Sequence, residues 1–258
     1  DKRAYYDGLF EKTKEAFQYE YVNEDGTIKS DLQGIQVLAL HMGLVDGKAK
    51  EQTEKKLVEL IHANGDKLDT GFLSVPYLLD VLCDAGYKRL AYKILYQEEC
   101  PSWLYEVKMG ATSVWESWQA ILPDGKCTFV SLAHYAYGCV GNWIYRNIVG
   151  IRCLVPGYKR VEIAPDFECG LESAEGGYHS IYGEIRCGWK KTGDKIVVEV
   201  AVPFNTEAQV FLRNAGIESV KKCGRDVTGE MKIEYGTDCS GVGLPAGSYQ
   251  FICTYMED

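Results

Sequence analysis

The 258-residue sequence lacks a long hydrophobic run and has no excess of positive charge. No apolar run approaches the roughly 18 residues that a transmembrane helix needs, so we expect no membrane-spanning segment. The formal net charge of −9 argues against a nucleic-acid partner, because binding of a phosphate backbone requires a basic face. A neutral ligand such as a sugar is compatible with this charge.

The ten cysteines show neither a C-x-x-C pair nor a zinc-type spacing with histidine. Several lie in apolar segments, among them Cys83, Cys139 and Cys253. We therefore expect buried free thiols in a reducing compartment, with disulfides as the alternative, and neither a metal nor a cofactor. The sequence begins with neither Met nor a hydrophobic signal core, so we expect an excised piece or a processed product with a cytoplasmic location.

The first part of the chain, residues 1–151, has the apolar period of helices. Ile35, Leu38, Ala39 and Met42, for example, follow the spacing i, i+3, i+4, i+7. This period predicts about six helices, at residues 2–18, 31–45, 48–64, 72–85, 87–98 and 130–149. Short connections join antiparallel neighbours, and six helices so paired would form half of a twelve-helix toroid.

From residue 152 to residue 258 the apolar period falls to two. Ile196, Val198, Val200 and Val202 alternate with other residues, and Gly-rich turns separate short strands. This alternation is typical of an antiparallel β-sandwich. The sequence therefore predicts a two-domain α + β protein, a half or partial toroid of helices followed by an antiparallel β-sandwich.

Residues 110–118 place one carboxylate between two indoles, in the order Trp115, Glu116 and Trp118. Glycosidases use flat aromatic faces for a sugar ring and an ionisable oxygen near its anomeric carbon. Glu116 is the candidate general base, since aromatic surroundings disfavour the ionised form of a carboxylate. The alternative is a surface carboxylate at the start of a short helix, and Glu106 is a rival carboxylate.

Four aromatic residues and one histidine complete the candidate site. Trp115 and Trp118 would share a face of a helix, with core packing as the alternative, and Trp118 is the better candidate for stacking on a sugar. Trp103 and Tyr105 follow a proline, which predicts a loop at the mouth of a barrel. His134 opens the last predicted helix, and its imidazole could bind a sugar hydroxyl or serve only the structure.

Five segments occur in order along the chain: SDLQ at 30–33, TGFLSVPYL at 70–78, PSWLY at 101–105, GATSVWESW at 110–118 and SLAHYAYG at 131–138. Together they resemble the C-terminal part of the α-L-rhamnosidases of glycoside hydrolase family 78. The resemblance implies an (α/α)6 toroid followed by a β-sandwich and an inverting hydrolysis of terminal α-L-rhamnosyl residues. It implies that Glu116 is the general base that activates water and that His134 binds the sugar.

The sequence departs from the family pattern in two places. Ala133 stands where the family often has Asn, so that one polar contact would be missing. The family's general-acid segment, an Asp followed by Glu-Arg and a Trp, has no counterpart in these residues. The resemblance therefore implies a fragment that carries the base without the acid, is inactive alone, takes a rhamnoside or related carbohydrate, and self-associates or binds a partner half of the toroid.

Two other functions stay open on the sequence alone. A non-catalytic carbohydrate-binding or scaffolding piece would use exposed aromatic residues of the second part, for which Tyr178, Tyr182 and Trp189 are the candidates. Another (α/α)6 glycosidase acting on a different sugar would share the Trp-Glu-x-Trp element.

Overall fold

The computed structural model describes residues 2–256, which separate into two compact units between Val140 and Gly141. The first unit is helical and the second consists mainly of β-strands, which confirms the predicted α + β fold class. The boundary predicted after residue 151 falls within the first strand of the second unit.

Five helices make up most of the first unit. They are α1 (Lys2–Tyr21), α2 (Gln33–His41), α3 (Gly47–Ala63), α4 (Val75–Asp84) and α5 (Lys88–Leu95). Helix α2 packs against α3 and α4, and α4 packs against α5. All five correspond to helices predicted from the apolar period, although several of their ends differ by a few residues.

The α4–α5 pair shows how the local sequence produces this arrangement. Pro76 stands in the first turn of α4, where its missing N–H costs no intrahelical bond. Helix α4 ends at Asp84, Gly86 follows with a φ of 85° that favours glycine, and the Tyr87 N–H donates to the Leu82 carbonyl at 2.8 Å. This bond is that of a Schellman C-cap, as the position of the glycine predicts. Each helix then buries one apolar face, formed by Val75, Leu78, Leu79, Val81, Leu82, Leu90, Ala91, Ile94 and Leu95.

A short sixth helix, α6 (Trp103–Lys108), occupies the segment in which a loop was predicted. The Ser102 hydroxyl accepts a hydrogen bond from the Tyr105 N–H at 3.0 Å and so caps the first turn. Six residues are too few to show an apolar period, which is why the pattern missed this helix.

The helix predicted over residues 130–149 is wrong in its first part. A 3₁₀ turn (Ala136–Cys139) leads into helix α7 (Val140–Ile144), and a π-turn (Tyr145–Val149) follows. Residues 131–134 pair with another loop, so their backbone groups are not used in helical hydrogen bonds.

Eleven strands form the second unit: β1 (Ile151–Cys153), β2 (Arg160–Ile163), β3 (Ser173–Ser180), β4 (Gly183–Thr192), β5 (Lys195–Val202), β6 (Glu207–Arg213), β7 (Ala215–Lys222), β8 (Arg225–Asp226), β9 (Ile233–Tyr235), β10 (Cys239–Leu244) and β11 (Gly247–Tyr255). They form one sheet in the order β1-β2-β6-β10-β9 and another in the order β3-β4-β5-β11-β7-β8. Neighbouring strands are antiparallel except β2 and β6, which are parallel. The predicted sandwich-type β domain is therefore confirmed.

Strand alternation decides which side chains of this unit are buried. In β5 the four residues predicted to face the core, Ile196, Val198, Val200 and Val202, are all buried. Trp189 in β4 is buried too, and its indole N–H donates to the Ile148 carbonyl at 2.9 Å. Trp189 is therefore not the exposed aromatic that the carbohydrate-binding alternative requires.

All ten cysteines are free, and burial is greatest for Cys169, Cys187 and Cys253. Burial raises the pKa of Cys187 and Cys253 to about 12, so these thiols are poor nucleophiles. Across residues 2–256 no group of three His, Cys, Asp or Glu side chains is placed to hold a metal ion. In the same range, no helix combines the length and the apolar character that crossing a membrane requires.

Candidate active site

Two loops of the helical unit run side by side and carry the two candidate polar residues of the site. The Glu116 N–H donates to the Ser131 carbonyl at 3.0 Å, and the His134 N–H donates to the Val114 carbonyl at 2.7 Å. The Ser131 N–H donates to Glu116 Oε2 at 2.7 Å. The fold thus brings the segments around residues 116 and 134 together, as a single site requires.

Glu116 is half-buried and lies in a loop, not at the start of a short helix. One oxygen, Oε2, is held by the Ser131 N–H. The other oxygen, Oε1, has no hydrogen-bond partner among the described residues. This carboxylate is therefore held in place by one oxygen while the other stays available to a ligand or to water.

His134 is half-buried between aromatic rings. Its imidazole stacks on Phe72 with ring centroids 4.7 Å apart and an interplanar angle of 9°, and lies 5.2 Å from the Tyr135 ring at 11°. The imidazole Nδ1 accepts a hydrogen bond from the Ala136 N–H at 3.3 Å. In the neutral tautomer that fits this bond, Nε2 carries the proton and can donate to a hydroxyl.

Trp118 and Trp103 belong to the core behind this site. The Trp118 ring is 8% exposed, stacks on Tyr137 at 3.7 Å and meets Trp103 edge-on at 5.3 Å. Its indole N–H donates to the Thr70 carbonyl at 3.0 Å, and that of Trp103 donates to the Tyr137 carbonyl at 2.8 Å. Both indoles are thus buried, and both use their nitrogens in internal hydrogen bonds.

Trp115 and Tyr105 form a separate buried contact. The Trp115 ring is 2% exposed and meets Tyr105 edge-on at 6.4 Å, and the Tyr105 hydroxyl donates to the Ile121 carbonyl at 2.7 Å. Trp115 and Trp118 therefore do not share a face, because their segment is not helical. In this conformation the four aromatic residues named from the sequence are buried and present no exposed ring.

The exposed rings near the site are ones that sequence reasoning did not name. Phe72 is partly exposed against His134, and Tyr135 is 89% exposed beside it. Phe129 is fully exposed, two residues before the Ser131 that holds Glu116. The only signal in the sequence was their place in or beside the segments that carry the resemblance.

Glu106 is a buried carboxyl next to the loop of Glu116, and its environment differs sharply from that of Glu116. The residue is 4% exposed, its Oε2 accepts a hydrogen bond from the Trp115 N–H at 3.2 Å, and its Oε1 is buried without a partner. Burial raises the pKa of Glu106 to about 7, although the bond from Trp115 acts in the opposite direction.

A carboxylate with one unengaged oxygen, an imidazole and exposed aromatic rings on a helical scaffold are the elements of a carbohydrate-active site. The comparisons with known proteins agree with this class. The model of the bacterial alpha-L-rhamnosidase 6 hairpin glycosidase domain matches residues 1–148, and that of the bacterial alpha-L-rhamnosidase C-terminal domain matches residues 150–225. The chain belongs to the bacterial α-L-rhamnosidase family.

Curated relatives support the same family. The alpha-L-rhamnosidase of Streptomyces avermitilis is 40% identical over 212 residues, which cover 81% of this chain and 21% of that protein. The alpha-L-rhamnosidase of Alteromonas sp. is 35% identical over 253 residues, which cover 92% of this chain and 25% of that protein. The chain thus spans about a fifth to a quarter of the length of these relatives.

Solved structures show the same architecture. The Streptomyces avermitilis alpha-L-rhamnosidase complexed with L-rhamnose matches 96% of this chain with a TM-score of 0.85 and 35% identity, over 24% of its own chain. The alpha-L-rhamnosidase from Dictyoglumus thermophilum matches 97% of this chain with a TM-score of 0.82 and 29% identity, over 28% of its own chain. The predicted succession of a glycosidase-type helical domain and a β domain is confirmed.

Proposed function

We propose that this chain supplies the general-base side of an inverting α-L-rhamnosidase active site, with Glu116 as the base and His134 as a sugar-binding residue. The observation that carries the proposal is the pairing of the two loops, in which the Ser131 N–H fixes Glu116 Oε2. The same ladder of hydrogen bonds fixes His134 beside it. A complex of a relative with L-rhamnose supports the choice of sugar.

In this proposal the unengaged Oε1 of Glu116 takes a proton from water, which attacks the anomeric carbon on the face opposite the leaving group. An inverting glycosidase keeps its acid and base roughly 6.5–9.5 Å apart to leave room for that water. His134 Nε2 donates to a sugar hydroxyl. Phe72 and Tyr135, stacked with His134, supply the apolar surface for the ring of the sugar.

The proton for the leaving group must come from a carboxylic acid, and these residues contain no segment like the family's general-acid motif. Positioned acid catalysis contributes roughly 10²–10⁴-fold to such a reaction. We therefore expect the 258-residue chain alone to show no measurable turnover of an aryl α-L-rhamnoside. Turnover by the chain alone, abolished by Glu116→Gln, would contradict this inactivity.

The role of Glu116 is tested in a full-length protein that carries this chain. Glu116→Gln is expected to lower kcat by roughly 10²-fold or more and to change KM little, because the amide keeps the bond from Ser131 but accepts no proton. Glu98→Gln is the matched control, since Glu98 is exposed and pairs with the likewise exposed Lys108 at 3.4 Å. Equal turnover in the Glu116 and Glu98 variants would rule out the proposed base.

The carbohydrate-binding alternative keeps one specific observation in its favour. Tyr178 is exposed and its ring stacks on Tyr158 at 4.3 Å, which offers a flat surface in the β unit. Titration of L-rhamnose into the chain separates the two sites. Loss of binding in His134→Ala but not in Tyr178→Ala would favour the helical unit, and the reverse would favour the β unit.

A further inference from the structure

The backbone around Glu116 is held from two sides. The Val114 carbonyl and the Glu116 N–H both point to the segment 131–134, with which they bond. The Trp115 N–H, between these two groups, has its partner elsewhere. Glu106 Oε2 accepts this N–H at 3.2 Å. Without an acceptor there, the Trp115 N–H would be a buried and unpaired donor.

Glu106 reaches this position from α6. No Lys, Arg or His among the described residues forms an ion pair with its carboxyl, and Oε1 has no hydrogen-bond partner. The pKa of Tyr137 is raised mainly by burial and, to a smaller extent, by the charge of Glu106. Tyr137 stacks on Trp118, so the carboxyl lies within the aromatic core behind the site.

We propose that Glu106 is a positioning residue for Glu116, which holds the backbone of residues 114–116 through the Trp115 N–H and so fixes where the Glu116 carboxylate stands. The inference rests on the proposed function, because it assigns Glu116 a reaction to perform. A general base must stand within hydrogen-bond reach of its water, and a displacement of about 1 Å can cost roughly 10²-fold in rate.

The arrangement fits the neutral acid form of Glu106. A carboxylate at this place would be a buried charge with one backbone donor and no cation, which is unfavourable. Ionisation of Glu106 should therefore disturb the segment that carries Glu116. We expect this disturbance near the pH at which the group titrates, about 7.

The direct test is the pH titration of backbone amides by NMR in the 258-residue chain, labelled with ¹⁵N at Trp and Ser. The Trp115 amide should shift with a midpoint of about 7 in the parent chain. The Ser131 amide, which bonds Glu116 Oε2, should show a component with the same midpoint. Glu106→Gln should remove both effects, and the matched control Glu98→Gln should remove neither.

This titration contradicts the proposal in either of two ways. A Trp115 amide that does not titrate with Glu106 would show that the bond does not transmit the ionisation. If the Trp115 amide titrates but the pH-dependent shift of the Ser131 amide is the same in Glu106→Gln as in the parent, Glu106 has a local structural role and does not affect Glu116. Neither outcome depends on whether the chain has rhamnosidase activity.

Turnover by a full-length protein that carries this chain adds the functional readout. Glu106→Leu should lower kcat by about 10-fold or more with little change in KM, because it removes the acceptor for Trp115. Glu106→Gln should keep kcat within about 3-fold of the parent value. In the plot of kcat against pH, it should move the alkaline limb to higher pH by at least about one unit. An unchanged limb in Glu106→Gln would overturn the proposal.

The same assay separates failure of this inference from failure of the proposed function. If Glu116→Gln abolishes turnover while Glu106→Leu and Glu106→Gln behave like the parent, Glu116 is the base and Glu106 does not position it. If Glu116→Gln leaves turnover unchanged, the proposed function is wrong, and Glu106 then has no general base to position. The amide titration still decides whether Glu106 holds the backbone of residues 114–116.

Discussion

Two glutamates ten residues apart have different surroundings, although both touch the same loop. Glu116 accepts a hydrogen bond from Ser131 and keeps one oxygen unengaged. Glu106 is buried, accepts a hydrogen bond from the Trp115 N–H and has a pKa raised to about 7. Burial is the physical cause of the raised pKa of Glu106, because removal from water penalises the charged form of a carboxyl.

The raised pKa of Glu106 makes stability depend on pH. The folded-state pKa lies above the ordinary value of 4.5, so the folded state binds the proton more tightly and loses stability as pH rises from about 4.5 through about 7. Glu106→Gln removes this loss. We expect its stability relative to the parent to increase between pH 5 and pH 8, by at most about 3 kcal/mol.

Urea unfolding of the parent and of Glu106→Gln at both pH values measures this difference. Glu98→Gln serves as control, because this exposed carboxylate lies outside the core. A difference between Glu106→Gln and the parent that stays constant across the pH range would show that Glu106 does not titrate as described.

Trp118 should matter to stability more than to direct contact with a sugar. Trp118→Ala removes a buried indole that contacts Tyr137 and Trp103, and we expect a loss of about 3–5 kcal/mol. Trp118→Phe keeps most of the ring contacts but loses the bond to the Thr70 carbonyl, so a smaller loss is expected. Chemical denaturation compares the two, and equal stability of Trp118→Ala and the parent would contradict the core role.

Among the elements, the short helix α6 places Glu106 beside the loop that contains Glu116. Its first turn depends on the Ser102 hydroxyl, which accepts the Tyr105 N–H at 3.0 Å. We expect Ser102→Ala to cost about 1 kcal/mol of unfolding free energy, since the capped N–H loses its partner in a buried position.

Thermal or urea unfolding measures the effect of Ser102→Ala. Ser248→Ala is the matched control, because Ser248 is exposed in β11 and caps no helix. If the two serine variants lose the same stability, the cap contributes nothing to α6.

The elements also show which helices can be predicted from the spacing of apolar residues. Helices α4 and α5 were predictable because their buried residues recur at helical spacing and Gly86 follows the end of the first of them. The helix predicted over 130–149 was wrong at its start, because the apolar residues after Ser131 continue the helical spacing in sequence. The backbone groups of Ser131 and His134 bond residues 114–116 instead, which lie 15 or more residues earlier in the sequence.

At the scale of the whole molecule, the exposed apolar surface of α1 bears on whether the chain associates. No described residue of this helix is buried, and its exposed large apolar side chains are Tyr5, Tyr6, Leu9, Phe10, Tyr19 and Tyr21. Apolar surface of this kind favours association. We therefore expect the chain to self-associate or to bind a partner half of the toroid, measured by light scattering over a range of concentrations.

A double variant, Tyr6→Glu with Leu9→Glu, should shift the chain toward monomer, because it places charge on the α1 surface. Phe204→Glu in the β unit, where the ring is 88% exposed, is the control and should leave association unchanged. A parent chain that scatters as a monomer at all concentrations and unfolds cooperatively would contradict the expectation.

The ten free thiols give a second test of the whole fold. Cys127, Cys153 and Cys223 are exposed, whereas Cys187 and Cys253 are buried with pKa values raised to about 12. We expect an alkylating reagent at pH 8 to modify the exposed three within minutes and the buried pair only in denaturant, as read by mass spectrometry of peptides. Rapid native labelling of Cys187 would show that the β core opens or is packed differently.

The sequence by itself determined the two-part architecture, because apolar periods of 3.6 and of two are local properties that burial of one face enforces. It also named Glu116 and His134 as candidate site residues, through the segments that carry the resemblance. Only the tertiary structure decided that Trp115 and Trp118 face different parts of the core and that Glu106 is the buried carboxyl behind Trp115. Burial and pairing of distant segments are set by the whole fold, and no spacing along the chain contains them.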